Sequence, residues 1–427
     1  MKPQVAVIGS GIAGMASAYY LRDHFDVHLY ESADYVGGHT NTKFVASGKG
    51  ETPIDTGFMV FNDHTYPNLI KLFDELGVSS YPTSMSFGVR NVNTGLEYCS
   101  NGGSGFFAQR ARILDPRQWS LYSGIKHFFS QAHRLLESDI SPEITIGDFA
   151  QEYAISDRAM EDFVLPMAGA VWSTPPDKIL DFPAKSMLGF MKNHHMLGIG
   201  IQYQWKTVKG GSEQYKRKLL NQLHRPPMVG CGVKSIHQSD TGSTVQLSDG
   251  TSKAFSHVIV ATHADDALKL LSNPTELQGE LLSRFGYNQN HTVLHTDESV
   301  MPKSRNAWAS WNVSHEKRDG ETLASTHYWM NNLQDIEPLG NHFVSVDPHQ
   351  TIDPDKIVWS THYTHPRFDT AAIEAQPRLK QLNEEGSLSF CGSYFRNGFH
   401  EDALWSALNA VELLLKRKEV RSEIAAV

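Results

Sequence analysis

Gln4-Val5-Ala6-Val7-Ile8-Gly9-Ser10-Gly11-Ile12-Ala13-Gly14-Met15 is the stretch that decides the fold. Gln4 to Ile8 reads as a short buried strand, and Ile12 to Arg22, with apolar Ile12, Ala16, Tyr19 and Tyr20, as a helix. Val27 to Tyr30 is a second strand, which completes one βαβ unit. Strand on one side and helix on the other turn the Gly-x-Gly-x-x-Gly spacing into a dinucleotide-binding reading. Each glycine has its own task. Gly9 permits the tight turn, Gly11 lets backbone approach a pyrophosphate, and Gly14 lets helix and strand pack closely. Ile12 and Ala13 open the helix, whose free N–H groups and positive dipole end attract phosphate. Glu31 stands seventeen residues after Gly14, at the end of the second strand. An acid there accepts hydrogen bonds from both adenosine ribose hydroxyls and disfavours a 2'-phosphate.

Outward from this unit, Gly37-Gly38-His39-Thr40 follows directly, and Asp55-Thr56-Gly57-Phe58 follows a further apolar run. Near the other end stand Phe390-Cys391-Gly392-Ser393-Tyr394 and Gly398-Phe399-His400-Glu401-Asp402-Ala403. Together these resemble the signatures of the glutathione-reductase-like flavoproteins, in the branch of amine oxidases and phytoene-type desaturases. The resemblance implies a noncovalently bound FAD held by Gly9, Gly11, Ile12, Ala13, Gly14, Glu31, Gly37, Gly38, His39, Thr40, Asp55, Thr56, Gly57 and Phe58. It adds Val233, Gly392, Ser393, Phe399, His400, Asp402 and Ala403, the last four opening a helix under the flavin pyrimidine. His39 departs from the arginine usual after the glycine pair, and Cys391 precedes the place where covalent amine oxidases carry their cysteine. Motif by motif, the chain most resembles FAD-dependent amine-oxidase-like proteins associated with cyclopropane fatty acid synthases. Gly57-Phe58-Met59-Val60-Phe61-Asn62, Trp172-Ser173, Trp308-Ala309-Ser310-Trp311-Asn312 and Tyr328-Trp329-Met330-Asn331 carry that likeness.

Composition bounds the remaining classes. A chain of 427 residues with 40% hydrophobic and 20% charged residues fits a globular protein of two or three domains. A net charge of −9 argues against nucleic acid, which needs a basic field. Cys99, Cys231 and Cys391 lie too far apart for a redox pair, a metal knuckle or a disulfide framework. Twenty-one histidines include no HExxH, so no metal is expected. No export signal or membrane span is read, so the expected location is cytoplasmic, with peripheral contact at the inner membrane face.

The rest of the chain divides by texture. Ile54 to Val60 reads as strand, Tyr66 to Leu76 as a helix stopping at Gly77, and 101 to 203 as mostly helical, broken at Pro142, Pro166, Pro175-Pro176 and Pro183. Gly102-Gly103-Ser104-Gly105 lacks a preceding strand and is read as a loop. Val233 to His237, Thr244 to Leu247 and Ala254 to Thr262 read as a hairpin returning to the cofactor sheet, turning at Ser248-Asp249-Gly250. Residues 291 to 365 suggest an antiparallel sheet, Leu388 to Cys391 a buried strand and Glu401 to Lys416 a closing helix. The fold class expected is α/β: a Rossmann-like FAD-binding domain of amine-oxidase type with a discontinuous mixed α+β substrate domain. Residues 1–60, 229–265 and 385–420 form the first, and 61–228 and 266–384 the second.

No second dinucleotide fingerprint is read, so electrons are expected from an organic substrate rather than NAD(P)H. The branch commonly uses a lysine near flavin N5, on the strand expected at Asn288 to Thr292; here His291 takes that place as candidate proton carrier. His400 and Glu401 are further catalytic candidates, with helix capping as the competing role. Phe58, Met59, Phe61, Phe87, Trp172, Met187, Phe190, Met191 and Met196 would suit an apolar slot, though ordinary core explains each singly. The function expected is an FAD-dependent oxidase or desaturase of fatty acyl chains, methylated or cyclopropanated ones in phospholipid included. An amine oxidase, a redox-neutral double-bond isomerase and a non-catalytic partner of a lipid methyltransferase are the alternatives. Trp119, Tyr122, Ile125 and Phe129 recur at helical spacing near Arg110, Arg112, Arg117 and Lys126, a pattern suited to a buried amphipathic face or to an anionic membrane.

Overall fold

A computed structural model gives the fold, describing residues 2–48, 50–138, 143–198, 203–336 and 339–425. Pro142 lies outside the described residues. The strand Gln4–Ile8 is central in a four-stranded parallel sheet. Asp26–Tyr30 flanks it on one side and His257–Val260 on the other, with Leu388–Phe390 beyond. Two of these strands come from distant sequence, and the apolar residues that dominate the sheet fit one buried on both faces. Helix Ile12–Leu21 covers one face beside the closing helix His400–Ala425. Ala13, Ala16, Ala403, Ala407 and Ala410 share one buried cluster there, small side chains that let the two helices approach.

Three sequence expectations need correction. Residues 254 to 262 are two strands: Ser252–Phe255 closes the antiparallel hairpin sheet, and His257–Val260 then enters the parallel sheet. Gly102–Phe106 is a short helix rather than a loop, because a side chain at Gly105 would strike Cys99 and glycine admits the close turn. The run 54 to 60 is not a strand. It ends the strand Gly50–Asp55 and turns, since Gly57 must pack on the His39 carbonyl.

The substrate side is built on a seven-stranded sheet, in which Gly286–His295 pairs with Ile357–Arg367 at one edge. Phe87–Asn91 and Leu96–Cys99 complete the other edge, joined to Trp311–Arg318 by a parallel pairing. Helices Pro67–Leu76 and Glu213–Leu220 pack with the cofactor-side helices: Leu69, Leu72, Phe73, Tyr215 and Leu219 lie in one cluster with Ile12 and Leu404. The cofactor core therefore reaches past the boundary expected at residue 60 and takes in a piece of the 61–228 segment.

Candidate functional site

The glycine turn has the geometry its spacing demands. Gly9 has φ +95°, and a Cβ there would meet the Ala261 carbonyl at 2.7 Å. A Cβ on Gly14 would lie 1.8 Å from the Gly9 carbonyl oxygen, so only glycine lets the helix close on the turn. Gly11 is different. An added Cβ meets nothing within 4 Å, so this glycine is required by no neighbour in the chain and faces an open cradle at the helix N-terminus. Gly38, with φ +57°, brings the second glycine pair against Gly11.

Glu31, the residue expected at the adenosine end, lies beside the glycine turn. Its carboxylate accepts from the Ser10 N–H (2.9 Å), the Ser10 hydroxyl and the Ala33 N–H (2.9 Å). These donors hold it beside the turn. Residues 228–233 run along it: Glu31 donates to the Met228 carbonyl and Cys231 to the Glu31 carbonyl. Val233 begins the hairpin strand Val233–Ser239 two residues later.

At the other end four segments meet. His400, first residue of the closing helix, stacks on Phe58 with centroids 4.0 Å apart and shares a 2.7 Å hydrogen bond with the Tyr215 hydroxyl. That hydroxyl in turn bonds Thr40. Burial pushes His400 down to about 3, so its imidazole is neutral at pH 7. Asp55 is a buried hub. Its carboxylate accepts from the Thr42 hydroxyl, the Ser212 N–H and hydroxyl, and the Gln334 amide. Desolvation outweighs these donors and raises it to about 6. Thr56 bonds the Asn41 carbonyl and the Tyr363 hydroxyl, which ties the Asp55-Thr56-Gly57 turn to both domains. Gly392 donates to Ser406, seating Ser393 at the closing helix. Ala403, buried beside them, lets that helix pack.

The two acids after His400 are structural. Asp402 accepts from the Asn397 and Phe399 N–H groups, capping its own helix. Glu401 accepts from the N–H groups of Asn68 and Leu69 and from the Asn68 amide, so it caps the helix Pro67–Leu76, whose own N-cap residue Tyr66 offers no side-chain bond. Glu401 is thus withdrawn as a catalytic candidate. Cys391 faces the core, its sulfur 4.0 Å from the Ser17 hydroxyl, and burial pushes its thiol up to about 12. It offers no thiolate to a cofactor. His263, Asp265 and Asp266 bring ligand-type atoms together, but Lys269 already pairs with both carboxylates.

His291 is the second correction. Its side chain is exposed and stacks on His362, on the face of its strand opposite to buried Asn290, as strand alternation requires. Asn290 is the inward residue, and it starts a chain of bonds that sequence reasoning missed. Its amide nitrogen donates to the Ser173 carbonyl (2.9 Å) and the Asp347 carboxylate (2.6 Å). Both partners only accept, so Asn290 Oδ1 must face His365 Nδ1, 2.7 Å away, and that nitrogen must carry the proton. Burial lowers His365 to about 4, so it is neutral and its Nε2 is bare. The Nε2 of His39, 3.3 Å distant, is then the donor between the rings. His39 itself stacks on Tyr363 and is held well below its ordinary pKa, chiefly by burial and then by His365. Asp347–Asn290–His365–His39 is therefore one chain of oriented hydrogen bonds from the substrate sheet to the second glycine pair.

An aromatic wall adjoins it. Trp172 lies 4.9 Å from both Phe182 and Phe190, Phe399 stacks on Phe190 at 4.7 Å, and the Trp172 indole donates to the Asn397 carbonyl. Met187 and Met191 sit behind it in the core.

Comparison with known proteins decides the class. The profile of the family described as flavin containing amine oxidoreductase matches residues 12–358. The chain belongs to that family. Cyclohexylamine oxidase from Brevibacterium oxydans IH-35A shares its fold with TM-score 0.68 at 15% identity, over 98% of this chain and 100% of that one. A fatty acid isomerase from P. acnes, described as CLA-producing, does so with TM-score 0.65 at 12% identity, over 97% and 98%. Among curated sequences, the tryptophan 2-monooxygenase of Allorhizobium ampelinum is 25% identical over 301 residues, 61% of this chain and 40% of that protein. An uncharacterized mimivirus protein, R656, is 42% identical over 72 residues, 16% of this chain and 15% of that protein. The matches thus span less than half the length of either curated relative. FAD is the cofactor of this flavoprotein, an FAD-dependent oxidoreductase by class. The site fits it: an open cradle at Gly11, a placed acid at Glu31, and a closing helix whose first residue meets the Phe58 turn.

Proposed function

We propose that this flavoprotein removes hydrogen from a fatty acyl chain, methylated or cyclopropanated chains included. The observation that carries the reading is the pairing of an aromatic wall with imidazoles held neutral. His39, His365 and His400 are uncharged at pH 7, and Glu401, Asp402 and Asp55 are each engaged by chain donors. Nothing in that set pairs with an ammonium, whereas Trp172, Phe182, Phe190 and Phe399 suit a hydrocarbon. FAD, when bound, supplies the acceptor for a hydride and its two electrons, which pass on to oxygen or another oxidant. The proton lost with the hydride needs a base, and His365 Nε2 can receive it through His39. Asn290 and Asp347 keep the ring in the tautomer with that nitrogen bare.

A fold neighbour described as a fatty acid isomerase supports the acyl reading, and neighbours described as putrescine and cyclohexylamine oxidases support the second reading below. Association with a cyclopropane synthase or related lipid methyltransferase, the expected partner, would supply such chains. The second reading is oxidation of an amine, favoured by the family description and the tryptophan 2-monooxygenase relative. Mass spectrometry after incubation of the FAD-loaded protein with phospholipid and with a panel of amines separates them. The proposal expects acyl chains lighter by two hydrogens; a shifted double bond without mass change means isomerisation, and deaminated product alone overturns the acyl reading.

A further inference from the structure

Between the two helical tracts of the substrate side lies a surface that the site does not use. Leu114 is 88% exposed, and Ile113, Trp119 and Tyr122 are exposed beside it. They form one patch: the Trp119 indole donates to the Ile113 carbonyl (2.8 Å), and Trp119 packs on Phe107 at 5.1 Å and on Tyr122 at 6.3 Å. The helix Pro116–Leu136, which carries Trp119 and Tyr122, buries its other face through its own Leu121, Ile125, Phe128, Ala132 and Leu135. The buried face expected from the helical spacing therefore exists, and Trp119 and Tyr122 are not on it.

Charge decides what the exposed face meets. Residues 106–136 carry Arg110, Arg112, Arg117, Lys126 and Arg134 against the single acid Asp115, in a chain of net charge −9. Asp115 caps the helix and pairs with Arg112 and Arg117, while Arg110, Lys126 and Arg134 make no ion pair among the described residues. Arg117 remains largely exposed. A protruding leucine, a tryptophan and tyrosine at the rim, and a ring of arginines and lysine suit the headgroup region of an anionic bilayer.

The helix that carries Trp119 and Tyr122 also packs, further along, against the segment that leads to the aromatic wall. Phe129, on the same helix, meets Phe163 at 5.6 Å. Phe163 lies in a π-helical turn, Met160–Val164, that continues into the helix Leu165–Trp172 and so to the aromatic wall. From Asp157 to Trp172 this rod spans roughly 24 Å at 1.5 Å per residue. π-turns interrupt helices most often at functional sites.

We infer that residues 110–126 form the docking surface by which this flavoprotein sits on an anionic phospholipid membrane, with Leu114 and Trp119 inserted and the arginines on headgroup phosphates. The choice of a bilayer rests on the acyl-substrate reading; the patch itself does not. Flotation of the FAD-loaded protein with vesicles of phosphatidylcholine, or of phosphatidylcholine mixed equally with phosphatidylglycerol, tests it without any substrate turnover. The protein should float with the mixed vesicles and not with phosphatidylcholine alone, and added salt should release it. Leu114→Asp, at a side chain that packs on nothing, should abolish flotation with flavin absorbance and circular dichroism unchanged. The pair Arg110→Glu and Arg117→Glu should weaken it at least tenfold. Ile357→Glu, an exposed apolar position at the far sheet edge, should leave flotation intact. Equal flotation of Leu114→Asp and the unaltered protein, or no flotation at all, overturns the inference. So does a dimer in gel filtration that Leu114→Asp converts to monomer, which would make the patch a contact between copies. Turnover of detergent-dispersed fatty acid bears on the substrate alone, so the two readings can fail separately.

Discussion

At Gly11 the backbone is already compatible with a side chain, and no neighbour objects to one. Valine there should therefore leave the chain folded while filling the pyrophosphate cradle. Purified Gly11→Val is expected to keep its circular dichroism and lose at least nine-tenths of its flavin absorbance, whereas Gly14→Val should fail to fold against the Gly9 carbonyl. This part of the site was legible because glycine spacing reports backbone geometry directly. The hydrogen-bond chain through Asn290 and His365 was not. His291 and Asn290 are adjacent, and a one-residue uncertainty in register moves a side chain to the other face of a strand. His365 stands on a partner strand seventy-five residues away from Asn290, which no local pattern reveals. His365→Asn should slow flavin reduction by substrate on the order of 10²-fold, with FAD content unchanged. It also makes a pH prediction. A histidine lowered to about 4 in the folded state binds its proton later than in the unfolded chain, where it titrates near 6.5. Its contribution is full above about 6.5 and is lost as pH falls towards 4. Melting temperature should thus fall more between pH 7 and pH 5 for the unaltered protein than for His365→Asn, as differential scanning calorimetry would read.

At the scale of elements, most strands and helices of the cofactor side lie where apolar runs and turn residues put them. The strand Gln4–Ile8 and the helix ending at Gly77, with φ +61°, are two examples. What the sequence pattern hid was contact between elements. Glu401 reads as an acid in the first turn of its own helix, and its carboxylate instead caps another helix more than three hundred residues earlier in the chain. Glu401→Gln keeps an acceptor but loses the charge beside two orphan N–H groups. Urea unfolding of the FAD-loaded protein should show a loss of about 1–2 kcal/mol, without change in the substrate-reduced flavin spectrum. Equal loss of turnover in detergent-dispersed substrate would restore Glu401 to catalysis. The strand Phe87–Asn91 escaped notice for a related reason, since it joins the large sheet by pairing with residues more than two hundred positions away, and Leu96–Cys99 follows it only as its hairpin partner at the edge.

For the whole molecule, the plan is discontinuous: the parallel sheet that begins with Gln4–Ile8 and Asp26–Tyr30 is completed by His257–Val260 and Leu388–Phe390. The two glycine pairs, the Asp55 hub and the closing helix lie on one side of the large sheet's Gly286–His295 and Ile357–Arg367 edge, where Thr56 and His39 meet Tyr363 and His365. That junction lies between the cofactor turn and the substrate sheet. The central claim is that this flavoprotein oxidises acyl chains at that junction. Anaerobic mixing of the FAD-loaded protein with phospholipid, and separately with amines, while following flavin absorbance tests it most directly. The account predicts bleaching by lipid that His365→Asn slows; rapid bleaching by amines with none by lipid would contradict it.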